Sequence, residues 1–321
     1  MCAIEAICRQ TLPRCPLATI LCWLIVSSCQ AADEDAVAGM VLWDTQRVAG
    51  SDHVDFSQKK SWQQIAAGAA AQRLSGDVVI ENERLAVVFS RRSAGPLICP
   101  KSAIAERKDR SGLVPLAAGG EPATVPSAIA IRNNDEGEVA LEVSSRTATQ
   151  GVPGRETCVV YRLARGQAFL ECKPVANAAA IRIEAGMSFA VIPDFFGADM
   201  VFDPRVYAQS NLIIPPENFV LGLLDGENTI VMSVWPAADQ DATLALAGAR
   251  QDRRISAMET GFHGKSVYVA VLHAPGIWHE HRLSRLAGGS GNSRRRAIPR
   301  TSASARRSPA SCATLRARSI T

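Results

Sequence analysis

The sequence predicts an all-β protein: a large antiparallel β-sandwich with a short N-terminal helix and a disordered C-terminal tail. Three observations lead there. From Gly76 the chain breaks into roughly a dozen short β-rich runs separated by turn residues. No helical segment lies between those runs, which excludes a βαβ architecture and favours a sandwich, with a barrel as the other closed solution. The composition also changes sharply at both ends, so neither terminus belongs to the sandwich.

At 321 residues, 47% of them hydrophobic, the chain has the material for one large core. The formal net charge of +4 hides an asymmetry. From Arg282 onward there are ten arginines, no lysine and no acid, which leaves 25 basic against 31 acidic residues before it. The body is therefore mildly acidic, and no nucleic-acid partner is expected for it. Aromatic residues are only 5% of the chain, which disfavours a surface of stacked bases.

Residues 1–31 read as a signal peptide. Arg9 and Arg14 precede the apolar run 17–26, then small residues and the acids Asp33, Glu34 and Asp35. That run is shorter than the roughly twenty residues a membrane span needs. Two processing routes fit: cleavage after Cys29-Gln30-Ala31, or lipid attachment at Cys29, because Val26-Ser27-Ser28-Cys29 resembles the lipobox of bacterial lipoproteins. Either route predicts export to a periplasmic or extracellular location, with a membrane as partner only if Cys29 is lipidated.

Residues 32–75 form an N-terminal segment, helical over 57–74, where Trp62, Ile65, Ala66 and Ala69 recur at helical spacing and Gly68 weakens the pattern. Residues 76–281 are the β-sandwich domain. Runs 77–80 and 85–89 flank Glu81-Asn82-Glu83-Arg84 as a hairpin. Residues 91–125 read as long loops around at most two short strands. Runs 128–132, 138–146, 180–192, 219–224, 229–235, 243–247, 254–258 and 266–272 continue the series. No internal repeat of fixed period is present, which argues against a propeller.

A further hairpin, 157–172, turns at Ala164-Arg165-Gly166. A three-residue connection sets Leu163 opposite Gln167 and Cys158 opposite Cys172. A Cys158–Cys172 disulfide and two buried thiols on one sheet face both satisfy that register. One residue more or less in the loop would remove the opposition.

Residues 282–321 hold almost nothing apolar to bury. A disordered basic tail, an arm for anionic surfaces, and translation of a shifted frame in a GC-rich gene all produce such a segment. The last also accounts for arginine without lysine and for the abrupt onset after a strand.

The most site-like stretch runs from Asp194 to Glu217, where Asp194, Asp199 and Asp203 stand among Phe195, Phe196 and Phe202, with Tyr207 nearby. Acids accept hydroxyl protons and rings cover the apolar face of a pyranose, so Asp194, Phe196, Asp199, Asp203, Tyr207 and Glu217 are the candidate carbohydrate contacts. The competing reading makes the aspartates turn formers and the phenylalanines core. Two carboxylates about 5 to 9 Å apart also suit glycosidic cleavage, although no catalytic residue is assigned. Of His273, His279 and His281, the last two would face the same way in an extended segment and could share a metal, but a zinc site needs a third ligand, so no metal is expected. Gly264-Lys265-Ser266 lacks the earlier glycine of a phosphate loop and is followed by a strand. No cofactor is implied.

The hairpin 79–87, together with Val160-Tyr161-Arg162-Leu163 and Gly166-Gln167-Ala168-Phe169-Leu170-Glu171, resembles the strand texture of the large β-sandwich domains in carbohydrate-active proteins, the galactose-mutarotase-like group. The resemblance covers 76–278 and implies carbohydrate as the ligand class, with no catalytic residue carried over. Three functions are then open: an exported carbohydrate-binding protein, a glycan-cleaving hydrolase or lyase, truncated if the frame is shifted, and a structural cell-envelope protein. The partner class is a polysaccharide or cell-envelope component.

Overall fold

The computed structural model describes residues 39–49, 54–69, 73–104, 110–147, 154–193, 199–215, 218–236 and 241–280. The signal segment with Cys29, the tail 282–321, and Asp194, Phe196 and Glu217 lie outside them. Eighteen strands, numbered in chain order, pair antiparallel throughout the described residues. They form one hydrogen-bonded surface folded into two layers.

The first layer runs β2 (Gln63–Ile65), β1 (Val41–Asp44), β3 (Val78–Glu81), β4 (Leu85–Phe89), β5 (Leu97–Pro100), β6 (Ser111–Leu116), β11 (Ala180–Ile192), β17 (Arg254–Gly261), β16 (Ala242–Ala247), β13 (Asn211–Ile214). The second runs β12 (Met200–Phe202), β11 again, β14 (Phe219–Leu224), β15 (Thr229–Val234), β18 (Val267–His273), β10 (Phe169–Ala176), β9 (Glu156–Ala164), β8 (Glu138–Thr147), β7 (Ala123–Asn134).

Strand β11 belongs to both layers. Its first half sits between β6 and β17, so that Ile183 pairs with Leu113 on one side and Met258 on the other. Its second half pairs with β14 and β12. The register shifts between Glu184 and Met187 and again between Met187 and Phe189. Before the shift Ile181, Ile183, Ala185 and Met187 point into the main core, and after it Ala190 and Ile192 do. The inward set thus changes from odd to even numbers, as a strand passing from one sheet to another requires.

Alternating inward residues of both layers form one core, within which Phe89 of β4 meets Tyr161 of β9 edge-on at 5.4 Å between ring centroids. Strands β3 and β4 are buried on both faces because a second cluster covers them from outside. It is built by Phe56, which opens the 3-10 turn Phe56–Ser61, and Trp62, which follows it, with Trp43. There Glu81, fully buried, receives Lys59 at 2.6 Å and Lys101 at 3.6 Å. Over the second half of β11, Trp278 caps Phe189 at 6.0 Å.

Two expectations are corrected. The helix over 57–74 is confined to that 3-10 turn, after which Gln63–Ile65 joins the sheet beside β1. Trp62 and Ile65 serve different clusters, so their helical spacing is incidental. The hairpin β9–β10 also runs in another register: Cys172 faces Tyr161 and Cys158 faces Ala176. The connection is four residues long, 165–168, with Gly166 at φ +71°. Cys172 lies in the main core, whereas Cys158 lies across the sheet beside Ser144 and Glu142. Cys158 and Cys172 therefore cannot bridge, and both are free thiols.

One side chain locks the two layers at their end. Asn82, fully buried in the β3–β4 turn, donates from Nδ2 to the carbonyls of Ala164 and Gln167, each at 2.8 Å. Its Oδ1 accepts from the backbone N–H of Arg84 and Leu85, also at 2.8 Å. Beside it, Glu83 accepts from Gly166 N–H at 2.9 Å and pairs with Arg165 at 3.4 Å.

Candidate functional site

The structure places Asp199, Asp203 and Tyr207 around β12 and the 3-10 turn Pro204–Val206. Asp199 is exposed at the head of β12. Asp203 caps the turn, accepting from Arg205 N–H at 3.0 Å, and grips the Arg205 guanidinium at 2.7 and 3.1 Å. The carboxylate hydrogen bond pushes the Arg205 pKa up. That guanidinium stacks 5.2 Å from the Phe189 centroid and reaches Glu280 at 4.0 Å. Tyr207 lies against Phe202 at 6.5 Å, half-buried, its phenol pKa raised by burial and then by the charge of Asp203. Asp203 and Tyr207 are thus brought together, but as a turn former and a packing ring.

A polar concavity of ≈ 550 Å³ lies next along the chain, on the outer face of β11, β17, β16 and β13. Register explains its lining. Arg182 of β11 stands opposite Glu259 of β17, which stands opposite Thr243 of β16. One rung along, Glu184, Ala257, Ala245 and Asn211 form a second row. Period-two alternation sends these side chains outward while Ile183, Met258 and Leu244 fill the core. Arg182 holds Glu259 through Nε at 2.7 Å and Nη2 at 2.6 Å. Ser256 sits at a bulge, where pairing passes from Ala245–Ala257 to Leu246–Ile255, and its hydroxyl donates to the Ala245 carbonyl at 3.2 Å.

Among the described residues the side chains of Glu184, Asn211 and Thr243 have no hydrogen-bond partner, so their polar atoms face the concavity open. Together the face offers a carboxylate acceptor, an amide that both donates and accepts, a hydroxyl, and a guanidinium held in place by Glu259. Ala245 and Ala257 leave a small apolar floor between them. All of this is mounted on paired strands, so little ordering is needed when a ligand arrives. No group of three or more His, Cys, Asp or Glu among the described residues is arranged to hold a metal.

Among the described residues of the predicted stretch, it is Asn211 that reaches this concavity, not Asp199 or Asp203. Arg182, Glu184, Thr243 and Glu259 were not singled out from the sequence. Their signal was present as charged residues alternating with isoleucine in 181–184 and Glu259 between Met258 and Thr260. Only register shows that they share a face.

No family model matches the chain, and no curated protein matches it. Among solved structures it is similar to a galactose mutarotase related enzyme from Lactobacillus acidophilus, at 11% identity over 62% of this chain and 98% of that one, with a TM-score of 0.35. The class defined by fold and face is an antiparallel β-sandwich with a polar concavity on one outer face.

Proposed function

We propose that the chain is an exported carbohydrate-binding protein that holds a glycan on the concavity of β11, β17, β16 and β13. The observation that carries this reading is the lining: Glu184, Asn211, Thr243 and the paired Arg182 and Glu259 present donors and acceptors on one rigid face around an alanine floor. Vicinal hydroxyls donate and accept together, and carboxylate, amide and guanidinium groups meet such pairs two bonds at a time. The volume falls within the roughly 300–1,000 Å³ of small-ligand sites. A concave polar face also favours ligand binding over a purely structural envelope role. Asp194, Phe196 and Glu217 stay proposed as carbohydrate contacts on their residue types alone. Export rests on the order of charges and apolar residues in 1–31.

The test is binding to a glycan array followed by titration calorimetry of the hits. Glu184→Gln and Asn211→Ala should each weaken binding roughly tenfold while leaving the circular dichroism spectrum unchanged. Absence of binding to any glycan, or binding indifferent to both substitutions, defeats the reading. Recovery of the protein in the cytoplasmic fraction defeats the export part alone.

One observation favours a second reading, glycan cleavage. Glu184 and Glu259 are diagonal neighbours on one face, because Glu184 pairs with Ala257. Diagonal positions stand roughly 7–8 Å apart at their Cα atoms, from which two glutamate side chains can bring their carboxyl groups to the roughly 6.5–9.5 Å that inverting hydrolysis uses. Glu259 would take a proton from water as that water attacks the anomeric carbon, and Glu184 would protonate the departing oxygen. Release of reducing ends from a polysaccharide panel, lost in both Glu184→Gln and Glu259→Gln, is the expected result. A folded protein with no turnover on that panel rules this reading out.

A further inference from the structure

A second concavity, of ≈ 420 Å³, lies at the end of the sandwich where the β3–β4 turn and the C-terminal end of β5 meet β18 and the β9–β10 turn. Its floor is apolar, from Leu85, Pro100, Ala168, Val271, Leu272 and Ile277, and its polar lining is Glu83, Arg84, Lys101, Ser102 and His273. We propose that this cleft binds a small organic oxyanion, a carboxylate, sulfate or phosphate group carried on a compact ligand, through Arg84, Lys101 and Ser102.

Charge supports that choice. Glu83 is already committed to Gly166 N–H and to Arg165, and its carboxyl is held below the ordinary range first by the N–H of its own backbone, with those partners adding to it, against the opposing effect of burial. Glu81, just behind, is shared between Lys59 and Lys101, and Lys59 is much the nearer. Lys59, Arg84, Lys101 and Arg165 thus face only Glu81 and Glu83, which leaves two positive charges, and the two least neutralised belong to Lys101 and Arg84 at the cleft. Among the described residues the side chains of Arg84 and Ser102 make no hydrogen bond or ion pair. A guanidinium and an ammonium facing one apolar-floored cleft match an oxyanion attached to a compact organic body.

The cleft is also rigid. Asn82 fixes the turn that carries Arg84 to the β9–β10 turn. Lys101 N–H donates to the Arg84 carbonyl at 2.9 Å, which ties the two cationic residues to one backbone unit. On the far wall, the His273 ring is oriented by a 2.9 Å hydrogen bond between Nδ1 and the fully buried Thr229 hydroxyl. None of these residues belongs to the sheet-face concavity, so this inference stands independently of the glycan reading.

The experiment is titration calorimetry of the full chain with glucuronate, glucose 6-sulfate and glucose 6-phosphate, with glucose as the neutral control. Saturable binding of at least one anion, weakened by added salt and by roughly tenfold in Arg84→Ala, is the expected result. Arg84 makes no side-chain bond within the described fold, so that variant should keep its structure, and the three arms identify which oxyanion is preferred. Glu184→Gln should leave the anion titration unchanged, so loss of glycan binding there and loss of anion binding here are separate outcomes. The proposal is overturned if no anion saturates up to about 10 mM, if glucose binds as well as the anions, or if Arg84→Ala binds like wild type. The last result would assign the ion to the arginine-rich tail.

Discussion

Replacing Asn82 by alanine removes four hydrogen bonds at once, each 2.8 Å, from a side chain with no exposure to solvent. At about 1 kcal/mol net per bond the upper figure is about 4 kcal/mol. The carbonyls of Ala164 and Gln167 lie in a half-exposed turn and regain water, so the expected loss is about 3 kcal/mol. For a domain of this size that corresponds to roughly 6–12 °C in Tm. Urea and thermal unfolding, followed by tryptophan fluorescence, measure it. Asn82→Asp separates two explanations, because it keeps the oxygen that accepts from Arg84 and Leu85 but turns an acceptor toward two carbonyls. If Asn82 mattered only as a local turn former, Asn82→Asp would be nearly neutral. A stability within about 0.5 kcal/mol of wild type for that variant would refute the clip between layers.

Glu81→Gln should cost about 2–4 kcal/mol in the same unfolding assay, because Lys59 and Lys101 then face a neutral group in place of their shared buried carboxylate. Gly222→Ala should destabilise by about 1–3 kcal/mol, since a β-carbon there would run into Met187 Sδ and Val231 Cγ1. Non-reducing peptide mapping should find no Cys158–Cys172 crosslink, and Cys172, whose thiol pKa is raised strongly by burial, should resist alkylation until the protein unfolds. Glu138 has its carboxyl depressed below the ordinary 4.5, first by the hydrogen bond from Arg162 and then by Asn133. Its contribution is therefore present in full above pH 4.5 and lost as pH falls through the depressed value. Comparing wild type with Glu138→Gln at pH 7 and pH 3 should show the stability gap shrinking at the lower pH.

Apolar runs bounded by turn residues were legible in the sequence almost to the residue: 85–89, 180–192 and 219–224 were placed where they occur. The stretch 91–125, read as long loops around at most two short strands, holds Leu97–Pro100, Ser111–Leu116 and the start of β7, which begins at Ala123. Val41–Asp44, Gln63–Ile65, Met200–Phe202 and Asn211–Ile214 escaped notice because three or four residues cannot display a period. The β9–β10 hairpin shows the other limit. Gly166 marked the turn correctly, but the connection is 165–168 in place of 164–166, longer by one residue and set one residue further on, which moved every cross-strand partner, Cys158 among them. The candidate face was hidden for the same reason, since Arg182 and Glu259 are separated in sequence by the strands β12 to β16 and meet only by pairing.

The sharing of β11 between layers bears on the order in which the chain can fold. Of its partners, only β6 precedes it, while β12, β14 and β17 follow, the last ending at Gly261. A chain emerging from a ribosome or a translocon therefore has a seam strand with one side vacant until about 70 further residues have appeared. Neither layer can close early and wait for the other. Folding should accordingly be slow, late and all-or-none, and a polypeptide interrupted before β17 would present an exposed, β-branched edge at its centre, the kind of surface that chaperones hold and aggregates recruit.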